Sequence, residues 1–355
     1  MRFVSPLLKR AVYPALAKTG ALRRIAPPGL AVVTYHGVLP PGYEPVDPAF
    51  DGNLVGPETL RRQLRLLKSK YNLVSPDEVL AWSKGHDLPE RAVLITCDDG
   101  LLNHFTDVLP ILQGEGIRCL FFVTGASAGQ DRGTLWYEDL FLTLLGAPEG
   151  LFAFSNGGIH LGGKLGSNEQ RRHLWWELVQ QLSQFDGEKR SECIAGLMDE
   201  LQWSKDFDAN DLVFHRRFGL MVDDEVRQLS AAGMTIGAHT MSHPLLSKAN
   251  SELGFAEIME SRARLQSVLD QPVWAFAYPF GDAQSVTPQV LAMPEEAGFE
   301  VAFLNYGGGL GTPLPRFALP RIHVTDAMSL SELEAHVSGF YAQLQRFANG
   351  VSKAA

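Results

Sequence analysis

The chain has 355 residues, 45% hydrophobic and 20% charged, with a formal net charge of −9. That length suits one large α/β domain with an insertion, or two domains. The acidic balance argues against a nucleic-acid partner, and no apolar run of about 18 residues offers a membrane-spanning helix.

The first 29 residues carry Arg2, Lys9, Arg10, Lys18, Arg23 and Arg24 and no acid. Their apolar pieces are too short and interrupted for the core of a cleaved secretory signal. A cytoplasmic or peripheral location at the cytoplasmic membrane face is therefore expected, with an extracellular one as the alternative. A basic arm of this kind can lie on an anionic membrane surface, although Pro6 and Pro14 restrict any helix there. A loosely ordered tail is the plain alternative.

Residues 30–35, LAVVTY, read as a buried strand that ends in His36-Gly37. After a Gly- and Pro-rich loop, PETLRRQLRLLKSK predicts a helix with Pro57 in its first turn and Leu60, Leu64 and Leu67 on one face. Ser75-Pro76-Asp77-Glu78 signals the start of another helix. The run AVLITC (92–97) has the near-continuous apolar character of an interior parallel strand. It stops at Asp98-Asp99-Gly100, the strand end where open α/β sheets and barrels keep their chemistry. Two adjacent carboxylates raise each other's cost of ionisation, and a divalent ion would relieve it. Taken alone, the same residues are equally an ordinary Asp-Asp-Gly turn. A helix through Leu109 and Leu112 and the strand IRCLFFV (117–123) complete a βα rhythm.

Between about 127 and 215 that rhythm breaks, without clear buried strands, and a largely helical insertion near the site is expected. Its tryptophans are read as packing between inserted helices, with stacking on a sugar ring as the alternative. The rhythm returns at Asp223 with a helix, a stop at Gly233, and a short strand leading to His239 and His243. SELGFAEIMESRARLQSVL is a long helix, WAFAYPFGD (274–282) a strand running into a turn, and FEVAFLN and FALPRIHV are two further strands before a terminal helix. About seven βα units result, enough to close a barrel. Three widely spaced cysteines, Cys97, Cys119 and Cys193, suggest neither a disulfide framework nor a cysteine-based zinc site.

HTMSH would set two imidazoles at i, i+4 on one side of a helical turn, a spacing that can chelate a metal but is often incidental. Convergence strengthens it, since Asp99, His239 and His243 would all stand at strand ends on one face. That gives a three-ligand site with open positions for water and substrate, and leaves Asp98 free as a base. Hydrolysis of an amide needs a polarised carbonyl, an activated water and an acid for the departing amine. No GxSxG elbow suggests a covalent route.

With these motifs in place, the chain resembles a NodB-type polysaccharide deacetylase of the family-four carbohydrate esterases over about residues 31–330, apart from the insertion. ITCDDG resembles that family's first motif, HTMSHPLLS its second and FAYPFG its third, in the family's order. The resemblance implies a distorted (β/α)7 barrel, a divalent metal, zinc first, on Asp99, His239 and His243, and Asp98 as general base. It also implies an oxyanion contact from a backbone N–H near Phe280, with Tyr278 beside it. Where the family's third motif often has an arginine bracing the base, this chain has Ala277, and Arg321 is the candidate to supply the brace. The late Leu-x-His motif that carries the acid is not evident. TYHGV, with His36, resembles instead the circularly permuted members that act on poly-N-acetylglucosamine; His323 is the second candidate.

The expected organisation is a basic arm over 1–29, a barrel over 30–126 and 216–330, a helical insertion over 127–215, and a C-terminal helix and tail over 331–355. The expected activity is metal-dependent removal of an N-acetyl or similar small acyl group from an amino sugar in a polysaccharide or glycolipid. The alternatives are a catalytically silent glycan-binding barrel and a C–N hydrolase acting on a small cyclic amide.

Overall fold

The computed structural model describes residues 6–25, 29–48, 50–127, 132–156, 158–202, 211–282, 284–307 and 315–351. Its strands are β1 (Leu30–Tyr35), β2 (Asn72–Leu73), β3 (Ala92–Cys97), β4 (Leu120–Val123), β5 (Gly150–Asn156), β6 (Ile159–Leu165), β7 (Thr235–Ala238), β8 (Ala275–Ala277), β9 (Val301–Gly307) and β10 (Leu319–His323). Parallel pairing runs in the order β1-β10-β9-β8-β7-β4-β3, and β3 returns to β1 through six residue pairs from Leu30↔Ala92 to Tyr35↔Cys97. The result is the closed seven-stranded α/β barrel expected from the sequence. The seam at β10 joins distant parts of the chain, with Val33 opposite Ile322 and Thr34 opposite His323. Because β1 occupies one edge of β3, β2 and β4 share the other, β2 at Ala92 and Val93 and β4 at Thr96 and Cys97.

Strand side chains alternate between two cores, as the period of two requires. Leu30 and Val32 of β1, Ala92 and Leu94 of β3, Phe122 of β4, Ala275 and Ala277 of β8, and Leu319 of β10 pack together inside the barrel. Ala31, Val33, Tyr35, Val93, Ile95, Cys97, Phe276 and Tyr278 pack outward against the helices. Continuing the inward series past its apolar layers brings Thr34 and His36, Thr96 and Asp98, and Arg321 and His323 to the C-terminal mouth. The floor is apolar, and polar groups collect above it.

Outer helices follow the predicted signals. Pro57–Lys70 starts on its proline and buries Leu60, Leu64 and Leu67. Ser75 and Glu78 form a capping box on Pro76–Ser83. The insertion is mainly the helices Trp136–Gly146, Asn168–Leu182 and Gly187–Glu200, gathered around their own core of Leu140, Leu144, Leu178, Val179, Cys193 and Leu197. It also holds the antiparallel hairpin β5–β6, with seven residue pairs. Most of β5 is exposed, so no buried apolar run marks it in the sequence.

The described part of the basic arm, residues 6–25, is docked rather than loose. Residues 6–18 form a continuous helical run, a π-helical turn over Leu8–Val12 leading into Tyr13–Lys18 with Pro14 within it, and Ala21–Ile25 is a further short helix. Tyr13 and Leu22 are buried beside Ala335, with Phe340 and Tyr341 packed on them, and Lys9 pairs with Glu332 at 2.7 Å. Among the described residues no helix is long and apolar enough to cross a membrane.

Candidate metal and catalytic site

Asp99, His239 and His243 converge although they come from β3 and β7. All three are buried, and their ligand atoms lie within 4.8 Å of one another. The helical-turn reading of HTMSH does not hold. His239 follows the last residue of β7, and the chain then turns through left-handed backbone at Thr240 (φ 64°) and His243 (φ 56°). Thr240 Oγ1 accepts the His243 N–H at 3.0 Å, which fixes the kink. Asp99 (φ 86°) and Phe280 (φ 59°) share this conformation, so four of the seven non-glycine residues with positive φ among the described residues stand at this mouth. Each such residue costs about 1–2 kcal/mol, a strain that the surrounding packing must hold.

The donor set fits a cation. His239 Nδ1 lies 2.8 Å from the Ala277 carbonyl, so this nitrogen carries the proton and Nε2 presents its lone pair. That lone pair faces Asp99 Oδ1 at 3.5 Å, and His243 Nε2 faces the same oxygen at 3.4 Å. Acceptors facing acceptors repel unless a proton or a cation lies between them. Two donors each about 2.1 Å from a tetrahedral ion would stand about 3.4 Å apart, which matches these spacings. Burial alone would raise the Asp99 carboxyl, but the imidazoles of His239 and His243 beside it outweigh that and hold the group well below the usual carboxylate range.

Asp98 lies next to this set, almost fully buried, with both oxygens held by Arg321: Nη1 to Oδ1 at 2.6 Å and Nη2 to Oδ2 at 2.5 Å. Arg321 is itself fixed, Nε on the Leu304 carbonyl at 2.8 Å and Nη1 on the hydroxyls of Thr34 and Thr96 at 3.2 Å. Burial pushes the Asp98 carboxyl up, but the guanidinium outweighs it, so the group stays ionised. Ala277, which stands where the third motif often has its arginine, lies on the inward face of β8 and carries no charge.

His36 and His323 meet at the β1–β10 seam, with ring centroids 4.7 Å apart. His36 Nδ1 and His323 Nε2 are buried without a hydrogen-bond partner. Burial pulls the His323 pKa down to about 3, so this ring is neutral near neutral pH. Both rings line a cavity of about 330 Å³ together with Asp98, Asp99, His239, His243 and Phe280.

The Phe280 ring packs on His243 at 4.8 Å and on Tyr137 at 5.7 Å. Tyr278 does not join the site. Two residues before Phe280 it keeps the outward parity of Phe276, and its hydroxyl donates to the carbonyls of Phe317 (2.9 Å) and Leu291 (3.2 Å) in the outer core.

The insertion forms part of the cavity wall through Tyr137, Glu138, Phe141, Arg172, Trp175 and Trp176. Both readings of its tryptophans apply at once: Trp175 packs edge-on against Phe50 and Phe141, donates to the Tyr137 carbonyl at 2.7 Å, and still borders the cavity. A buried triad that sequence reasoning missed stands in the same wall. Arg217 donates from Nε to Asp51 and from Nη1 to Glu138, each at 2.8 Å. Burial lifts the Glu138 carboxyl to about 7 despite that contact. Nothing in the spacing of residues 51, 138 and 217 could have joined them.

Comparison with known proteins places this geometry. Residues 197–302, which contain His239, His243 and Phe280, match the family model described as polysaccharide deacetylase. No curated protein sequence matches the chain. Among solved structures, IcaB from Ammonifex degensii is similar at 18% identity and a TM-score of 0.55, covering 88% of this chain and 98% of that one. The Streptococcus pyogenes deacetylase PplD, solved in complex with acetate, is similar at 17% identity and a TM-score of 0.54, covering 88% of this chain and 99% of that one. A de-N-acetylase from Aggregatibacter actinomycetemcomitans shares the fold at 14% identity and a TM-score of 0.51, covering 86% of this chain and 99% of that one. These likenesses show the fold, and the family match lies over the second and third of the three motifs from which the resemblance was drawn.

Proposed function

We propose that this chain is a metal-dependent deacetylase that removes an N-acetyl or similar small acyl group from an amino sugar in a glycan or glycolipid. The observation that carries this reading is the pairing of a braced, ionised carboxylate, Asp98, with the three buried donors of Asp99, His239 and His243 in one cavity. In this reading Asp99, His239 and His243 hold one divalent ion, zinc by the nitrogen-rich donor set, which would supply Lewis acidity toward the acyl carbonyl and toward water.

The remaining steps belong to the side chains. Asp98 takes the proton from the attacking water, and Arg321 keeps it deprotonated and fixed in orientation. The backbone N–H of Phe280 is assigned to the oxyanion, with the left-handed turn presenting it. His36 gives a proton to the departing amine. Burial keeps His323 neutral beside it, which supports His36 rather than His323 in this role. A silent glycan-binding barrel would have no use for a braced base beside the donor set.

Acetate release from an N-acetylglucosamine oligomer, with metal content measured on the same sample, tests the reading. Release that disappears on chelation and returns with zinc is expected; metal-replete protein that releases none overturns it. Hydrolysis of a small cyclic amide is the second reading, drawn from the same confined cavity, and product from such a substrate alone would favour it.

A further inference from the structure

The far wall of the cavity has features that the proposed chemistry does not use. The insertion is fastened to the barrel mouth at two places. On the β1 side, Arg172 pairs with the buried Asp47 at 2.5 Å, and Phe141 stacks on Phe50 with centroids 4.0 Å apart. On the β7 and β8 side, Trp136 Nε1 donates to the His243 carbonyl at 3.2 Å, and Trp176 meets Phe280 at 5.7 Å. The barrel order between these anchors is β1-β3-β4-β7-β8, so the insertion spans the arc of the mouth that these strands form. A polymer lying across Asp98 needs a channel that leaves the base on two sides. Along this arc its path meets inserted side chains, and about 330 Å³ is at the small end of ligand-pocket volumes.

Within that wall Glu138 is 5% exposed and held in place. Its Oε1 accepts from Arg217 Nη1 at 2.8 Å, Arg217 is anchored in turn on Asp51, and Oε2 has no partner. A buried carboxylate oxygen left without a donor is costly, which is why burial lifts this carboxyl to about 7, and a donor that enters the cavity would relieve the cost in the ionised form. Aromatic rings in the same wall, from the partly buried Trp175 and Trp176, suit the apolar face of a pyranose, whose hydroxyls would supply the donor.

Resting on the deacetylase reading, we propose that the site accepts a single amino-sugar residue, at a glycan end or on a carrier, and that Glu138 selects it by accepting a hydrogen bond from a ring hydroxyl. The internal residues of a long glycan are excluded by the inserted wall. Gln at position 138 would keep its amide oxygen on Arg217 and turn an NH₂ toward the cavity, replacing the charged acceptor with a donor.

The test uses the full chain with two probes, an N-acetylglucosamine oligomer and methyl N-acetylglucosaminide. Mass-spectrometric sequencing of the oligomer should show one acetyl lost, at a terminal residue, and the glycoside should be cleaved with kcat/KM within about tenfold of the oligomer. Acetyl loss from internal residues, or efficiency that climbs steeply with oligomer length, overturns the single-residue pocket while leaving the deacetylase reading intact. No acetate from either probe overturns both. Glu138→Gln should raise KM about tenfold on both probes with kcat nearly unchanged, the loss expected of one charged hydrogen bond. Glu138→Asp, which keeps a negative charge near Arg217 but withdraws it by one methylene, should show the same split. An unchanged KM in both variants overturns the role of Glu138.

Discussion

Arg321, on β10, grips both carboxylate oxygens of Asp98, on the loop after β3, from inside the barrel. The brace therefore comes from β10, two strands along the barrel from Ala277 on β8. The inward parity of β10 makes this reach available, because Leu319, Arg321 and His323 share one face.

Removing that brace should have two separable effects. Arg321→Met leaves a buried carboxylate without its counter-ion, which is expected to cost about 3–5 kcal/mol of stability. The surviving protein should show the acid limb of its kcat–pH profile moved to higher pH, because the guanidinium no longer holds Asp98 ionised. Urea denaturation and a pH–rate profile check both. An unmoved profile would mean that Asp98 is not the base.

Asp98→Asn and His239→Ala should fail differently. The first is expected to keep its metal while kcat falls by about 10²–10⁴-fold. The second should lose metal and activity together. Metal analysis on each purified variant separates them, and loss of the ion from Asp98→Asn would reverse the two aspartate roles.

His36→Ala should slow hydrolysis of an amide much more than that of an activated ester, whose leaving group needs no proton, with metal content unchanged. Equal slowing of both substrates would end the assignment. Leaving-group dependence in His323→Ala alone would move the acid to the neighbouring ring.

Acid should destabilise the fold before the usual carboxylate range is reached. Burial lowers His323 to about 3, and His104 and His336 to about 4, from an ordinary value of 6.5. A folded pKa below the unfolded one means that the unfolded chain binds more protons once pH falls below 6.5. Stability from these rings is full above that value and is lost progressively toward pH 3–4. Urea midpoints measured downward from pH 7 should show the decline, and His336→Gln, remote from the cavity, should lessen it. A midpoint flat to pH 5 would contradict the burial account.

Membrane contact by the basic arm is proposed on its charge alone. Since Tyr13 and Leu22 anchor the arm on the C-terminal helices, deleting it would expose apolar surface and confuse the result. Arg10→Glu with Lys18→Glu changes two exposed residues instead. Salt-sensitive pelleting with anionic vesicles should fall in this variant while the melting temperature holds. Equal pelleting by both proteins would remove the proposal.

The motifs made the barrel and the central donors legible because each lies where an apolar strand stops, which a single sequence displays. Strand parity could also have been used more fully. It sends His323 and Arg321 inward and Tyr278 outward, and only the reading of Tyr278 as a site residue ignored it. Contacts between remote segments were not legible: Asp51, Glu138 and Arg217 meet only through the placement of the insertion, for which no local pattern exists. The kink at Thr240 was hidden for another reason. HTMSH has helical spacing, and left-handed backbone at a threonine is a tertiary imposition that propensity opposes.

The seam between β1 and β10 also sets an order of events during synthesis. His36 emerges early and His323 nearly 300 positions later, yet their rings share one cavity because Thr34 and His323 are opposite each other in register. Until β10 has left the ribosome, β1 has one unpaired edge, and Asp98 has no guanidinium to balance it. A nascent chain thus carries two adjacent acids and an open strand edge through most of its elongation, the stage at which edge-to-edge association is a hazard. Closing the barrel at that last strand removes the edge and completes the catalytic pocket in a single step, so a chain stopped short of residue 319 should be both inactive and prone to self-association.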